Sequence, residues 1–212
     1  MKKSPAKSKR LGRLATRDNL LEALGRVLVR DGFSAVGVNA VAREAGVDKV
    51  LIYRYFGGMQ ELLAAFGQRE NLWPDLIELT AGDPTGFARL PARDKACLLA
   101  RNFLQALRNR PVAREILAWE LVERNELTSA LGAARDRTAL QILSMLQPSA
   151  GEDALKVDME AAQAVLTAAA SYLVLHCGRT MRFAGLEANG DDGWMRIGQT
   201  IDGMLLGLLS FA

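Results

Sequence analysis

Histidine is almost missing from this chain: one residue, His176, in 212. A histidine-rich metal site is therefore excluded. Cysteine is nearly as rare. Cys97 and Cys177 lie far apart with no metal-ligand spacing, and both fall inside helical patterns. They read as plain core thiols of a reducing cytoplasmic compartment. No glycine-rich loop follows a strand and opens a helix, so no phosphate cradle is expected. No run of alternating β-branched residues is bounded by turns, so no sheet is expected either. The first ten residues, MKKSPAKSKR, carry charge with no apolar core behind them, which argues against secretion. The longest apolar run, Ala161 to Cys177, is broken by Gln163, Thr167, Ser171 and His176. A membrane-spanning helix needs about 20 strongly apolar residues, so this run reads as a buried interface helix and no membrane partner is expected. Glu120 and Glu123 stand one turn apart near solvent, a weak basis for acid–base chemistry. The chain is read as a non-enzyme without a cofactor.

What the chain does have is helix. Half its residues are apolar, with spacings of three and four nearly throughout. The length is ample for a buried core. Charge is unevenly placed. Residues 1–70 hold 13 Lys+Arg against 7 Asp+Glu, whereas residues 71–212 hold 14 against 17. The first 17 residues carry Lys2, Lys3, Lys7, Lys9, Arg10, Arg13 and Arg17 and no acid. That asymmetry fits a nucleic-acid partner for the N-terminal part alone.

The stretch Gly37 to Phe56, GVNAVAREAGVDKVLIYRYF, organises the rest. Val38, Val41, Ala42 and Ala45 share a face of one short helix. Gly46 ends it, because glycine enters the left-handed conformation without steric cost. Val47 plugs the corner. Asp48 is a good N-cap for a second helix over about Lys49 to Tyr55. Ile52 and Phe56, four apart, point inward to core. Lys49, Leu51, Arg54 and Tyr55 are left on other faces. Two helices about a glycine turn, with basic and aromatic groups outward, form a geometry that places a helix in the major groove.

The run Ala-Gly-Val, a polar cap, then Ile-Tyr-Arg-Tyr-Phe resembles the DNA-binding domain of the tetracycline-repressor (TetR) family of transcriptional regulators. The likeness extends over about Leu14 to Asn71 and includes Gly32-Phe33 and Glu61-Leu62-Leu63. It implies an all-α protein. An N-terminal three-helix helix-turn-helix domain, residues 14–72 with its motif at 37–56, would follow a disordered basic tail, 1–13. A larger α-helical C-terminal domain for ligand binding and dimerisation would occupy 73–212. The positions facing DNA would fall on Asn39, Lys49, Leu51, Tyr53, Arg54 and Tyr55. Lys49 or Arg54 would pair with guanine acceptors, Asn39 with adenine or a phosphate, and Leu51 with a thymine methyl. Tyr53 and Tyr55 would donate to phosphates or pack against neighbouring helices.

Three positions depart from the family pattern. Gly37 stands where Ser or Thr is usual, Met59 where Lys is usual, and Asp48 where serine is common. The expected phosphate contacts are thinned, and the basic tail, or Lys49 and Arg54, is expected to supply some of what is missing.

The first helix is expected over Ala15 to Arg30, and a fourth over Met59 to Asn71. Residues 75–91, with Gly82, Pro84, Gly86 and Pro91, read as looser. Helices follow at about Arg93–Asn109, Val112–Arg124, Leu127–Leu146, Asp158–Met181 and Trp194–Ser210, with Pro148 and Gly151 among the breaks. The stripes Val165, Leu166, Ala169, Tyr172, Leu173 and Trp194, Ile197, Ile201, Leu205, Leu208 are too apolar to stay wet. By resemblance the last two helices form a four-helix bundle across a homodimer twofold. The family also implies a pocket for an unknown small-molecule inducer. Phe103, Trp119, Met145, Tyr172, His176 and Cys177 are candidate lining groups, or plain core. The expected function is a ligand-responsive, cytoplasmic repressor released from a double-stranded DNA operator. The alternative is a helical interaction protein with weakened DNA binding.

Overall fold

The computed structural model describes residues 5–69, 72–122, 126–146, 157–188 and 190–210, without the side chains of 5–11, 126–131, 134, 178 and 179. Asn71, Glu123, Arg124, Pro148 and Gly151 lie outside the described residues. The elements in order are α1 (Pro5–Asp31), a 3-10 turn (Phe33–Ala35), α2 (Val38–Ala45), α3 (Val50–Phe56), α4 (Met59–Gly67), α5 (Leu76–Leu79) and α6 (Pro84–Ala88). They continue with α7 (Ala92–Arg108), α8 (Pro111–Glu120), α9 (Glu126–Met145), α10 (Met159–Thr180), β1 (Arg182–Phe183), β2 (Leu186–Glu187) and α11 (Asp191–Ser210). Among the described residues the fold is all-α apart from one hairpin of two-residue strands.

That hairpin is a correction. Sequence pattern leads one to expect no strand, yet Arg182 pairs with Glu187 and Phe183 with Leu186, antiparallel. Ala184 and Gly185 both take positive φ, 48° and 84°, the backbone that closes a two-residue hairpin. Strands this short carry no alternation to read.

Other differences are of boundary. Helix α1 starts at Pro5 rather than Ala15, so residues 5–13, expected as tail, are helical. Proline suits the first position, where its missing N–H is no loss, and Ala6, Lys7, Lys9 and Arg10 are good helix formers. Helix α4 stops at Gly67, short of Asn71. The stretch expected to be loose holds α5 and α6. Each has an aspartate cap: Glu78 N–H donates to Asp75 Oδ1 at 2.8 Å, and Gly86 N–H to Asp83 Oδ1 at 2.8 Å. Each cap satisfies an N–H that the first turn would otherwise orphan.

The chain forms two compact units. The first runs up to Leu72 and takes in Trp119–Gly132; the second comprises Trp73–Ala118 and Ala133–Ala212. In the first, α1 packs on α2 and α4, and α3 on α4. Leu20, Leu24, Val27, Val41, Ile52 and Leu62 are fully buried there. Polar ties fix α1 to α2. Asn19 Nδ2 donates to the Ala45 carbonyl at 2.8 Å, and Arg26 Nε and Arg30 Nη1 donate to Glu44 at 2.8 and 2.7 Å. Those arginine bonds, Arg30 foremost, hold the Glu44 carboxyl below its ordinary range.

In the second unit α7 packs against α5, α10 and α11. Leu99, Leu107, Val174, Ile197, Ile201 and Leu205 lie in its core. Arg110 grips Glu78 through Nη1 and Nη2 of its guanidinium, and Asn102 Nδ2 donates to the Leu79 carbonyl at 2.8 Å. Among the described residues no helix is long and apolar enough to cross a membrane.

Candidate nucleic-acid interface

The turn between α2 and α3 is built by backbone chemistry. Gly46 sits at φ 66°, ψ 31°. Its N–H reaches the Arg43 carbonyl at 3.2 Å, and Val47 N–H reaches Ala42 at 3.0 Å. That pair of bonds is a Schellman closure, which needs a left-handed residue at Gly46. Asp48 then does the capping expected of it: its Oδ1 accepts from Val50 N–H at 2.8 Å. Gly57, at φ 102°, closes α3 with its N–H on the Tyr53 carbonyl at 3.0 Å.

Helix α3 is anchored by Ile52, which is 0 % exposed. Lys49, just before α3, and Arg54 are exposed, and Tyr53 is 55 % exposed. Asn39, near the start of α2, is exposed as well. Leu51 and Tyr55 are half-buried. Three features escape the sequence reading. Val50 is 60 % exposed, an apolar group at the start of α3 with no core to fill. Phe56, expected in the core, is only half-buried. Its ring lies under the Arg17 guanidinium at 5.0 Å, and Tyr55 lies under Arg13 at 5.6 Å. The signal was present: Arg13 and Arg17 are four apart on α1 and share one face, and Tyr55 and Phe56 end α3. The rings hold two cations of α1 beside the outward groups of α3. Gly37 offers no side chain to cap α2, as its identity requires.

The six candidate ligand residues do not meet in one place. A cavity of about 80 Å³ lies in the second unit, walled by Trp73, Pro74 and residues of α7, α9, α10 and α11. Phe103 is in that wall; the other five are not. Trp119 belongs to the first unit, its ring stacked on Phe33 at 3.3 Å between centroids. Met145 packs on the core of the second unit. Tyr172 and His176 form a three-ring cluster with Phe183, centroids 5.1 to 5.6 Å apart, and Tyr172 is half in solvent. Cys177 is buried, which pushes its thiol pKa up; burial does the same to Cys97, aided by Asp202. Both are free thiols and stay protonated and unreactive. The expected list favoured aromatic and soft residues, while the wall is mostly small and branched aliphatics. Among the described residues no three His, Cys, Asp or Glu stand close enough to hold a metal ion.

A Schellman turn, a capped second helix held by one buried isoleucine, and cations on its outer side define a helix-turn-helix DNA-binding protein. Residues 20–66 match the family described as bacterial regulatory proteins, tetR family. That match gives the first unit a TetR-family DNA-binding domain. Solved structures share the fold over nearly the whole length. The fatty acid degradation regulator FadR from Bacillus halodurans is 16% identical, with a TM-score of 0.64 over 90% of this chain and 97% of that one. FadR from Bacillus subtilis, in complex with stearoyl-CoA, is 16% identical at TM-score 0.64, covering 88% and 96%. MexZ from Pseudomonas aeruginosa, a repressor responsible for antibiotic resistance, is 22% identical at TM-score 0.59, covering 92% and 94%. No curated protein matches the chain significantly in sequence.

Proposed function

We propose that this chain is a cytoplasmic, homodimeric repressor that leaves its operator when a small molecule occupies the second unit. The observation that carries the reading is α3 itself. Its buried side is used up by Ile52, while Val50, Tyr53 and Arg54 of the helix and Lys49 just before it are exposed. Such a helix has charge for phosphates, donors for guanine and apolar carbon for thymine methyls. Asn39 extends the same surface, and Leu51 and Tyr55 frame it. A single reading head covers one half-site, so two are needed for tight binding. The unpaired apolar groups of α10 and α11, among them Val165, Met204 and Leu208, support pairing through the last two helices. Ligand and DNA would then select different spacings of the two heads.

The missing phosphate ligands at Gly37 and Met59 are offset in this reading by Arg13 and Arg17, held over Tyr55 and Phe56. Fluorescence anisotropy on the DNA upstream of its own gene, at two salt concentrations, tests it. Binding whose affinity falls steeply with salt is expected, each phosphate contact adding about one unit of slope. A dimer is expected by sedimentation. An Arg13→Ala, Arg17→Ala double variant should lower the slope by about two. Weak binding with no dependence on salt would favour the alternative, a helical interaction protein that has kept the fold.

A further inference from the structure

The cavity of the second unit is walled mostly by carbon, including Leu99, Ile142, Leu166 and Ile201. Two polar atoms of its lining residues are shielded from solvent and have no hydrogen-bond partner in the protein: the indole Nε1 of Trp73 and Oε1 of Gln163. The Gln163 amide is not free to turn. Its Nε2 donates to the Ala139 carbonyl at 2.8 Å. A carbonyl only accepts, so the NH₂ must face it and the oxygen must face the other way. One unpaired atom is thus a pure donor and the other a pure acceptor. Leaving either unpaired in an apolar wall is unfavourable.

We propose that this cavity takes a slender, uncharged, largely apolar molecule bearing a hydroxyl or a carboxamide. Such a group accepts from Trp73 Nε1–H and donates to Gln163 Oε1. A carboxylate, ester or ether only accepts and leaves the Gln163 oxygen unpaired. An ammonium only donates and leaves the indole N–H unpaired. The threonine hydroxyls in the wall, Thr138 and Thr167, rotate to suit either partner and do not discriminate. Arg135 also lines the cavity, but its Nε lies 3.9 Å from Asp136 Oδ1 and its guanidinium lies over the Trp73 ring. Its charge is already engaged, so it gives no reason to prefer an anion. The proposal deepens the ligand half of the function above and names the chemical class that site selects.

Titration calorimetry on the full-length protein with 1-octanol, octanamide, 1-methoxyheptane and octanoate tests it. The alcohol and the amide should bind, and the isosteric ether and the anion should bind at least about tenfold more weakly, the loss expected for an unpaired buried group. Gln163→Leu should bring alcohol and ether to similar affinity while the chain still binds. Trp73→Phe keeps one aromatic ring, removes the pyrrole ring with its N–H donor and should narrow the same gap independently. Equal binding of alcohol and ether by the native protein would overturn the proposal. So would tightest binding of octanoate, or no binding of any of the four, which would leave the two atoms to water alone. DNA affinity is read separately. Alcohol binding with no change in DNA affinity would uphold the cavity's selectivity and count against ligand-released repression.

Discussion

Helix α3 and the cavity of the second unit treat polar groups in opposite ways. At α3 the backbone donors are satisfied locally, by the Asp48 carboxylate and by the turn, and the free side-chain donors face outward. In the cavity the free donor and acceptor are buried in lining residues of a carbon wall. A surface of the first kind suits a large polyanion whose sequence varies along its length. A cavity of the second kind suits one small molecule with one complementary group. The contrast also separates stability from selectivity. Substitutions that disturb packing should act on each unit's folding, while those on outward or orphan polar atoms should act on binding.

The largest effect on that contrast is expected at Ile52. Ile52→Ala removes the anchor of α3 and should cost about 3 kcal/mol, seen as a lower midpoint in chemical denaturation. A loss under about 1 kcal/mol would show that α3 is held by something else. Next comes Gly193 in α11. A Cβ there would stand 2.1 Å from the Glu187 carbonyl oxygen, which is backbone and cannot swing aside. Gly193→Ala should cost about 2 kcal/mol. Gly12→Ala, in α1 with nothing within 4 Å, should instead gain about 1 kcal/mol. Calorimetric midpoints moving in opposite directions would verify both.

A smaller loss, about 1 kcal/mol, is expected for Asp75→Ala, which strips the cap from α5. The smallest effect is one of pH. Hydrogen bonds from Arg30 lower the Asp31 carboxyl, and those from Arg30 and then Arg26 lower Glu44. A depressed carboxyl stabilises the fold above its ordinary range, and that contribution disappears as pH falls through the folded value. Thermal midpoints should therefore drop slightly more steeply in acid than for Glu44→Gln, and the two should run parallel above neutrality. Asp31 is exposed and Glu44 only half-buried at the surface, so the difference is small.

Much of the reading head was legible because it is contiguous. Gly46, Asp48 and Ile52 each act on neighbours within a turn or two, and local spacing reveals them. Phe56 was misplaced because four-residue spacing from Ile52 says inward, while Arg17, brought up by α1, covers the ring. The cavity was not legible. Trp73, Arg135, Gln163 and Ile201 come from distant parts of the chain, and their meeting depends on how α7, α9, α10 and α11 pack. An orphan atom such as Gln163 Oε1 has no signature at all until its amide partner, Ala139, is in place. The two-residue hairpin after α10 was hidden for another reason: its turn needs positive φ at Ala184, which no residue preference for alanine announces.

The central claim is that α3 is turned outward to read a duplex, with Lys49 and Arg54 as its charged contacts. It is tested most directly by the affinity of the Lys49→Ala, Arg54→Ala variant for the upstream DNA, with its fold checked by circular dichroism. The account predicts unchanged helicity and a loss of at least about tenfold in affinity, the size of one good base or phosphate contact. Native affinity and native salt slope in that variant would contradict it.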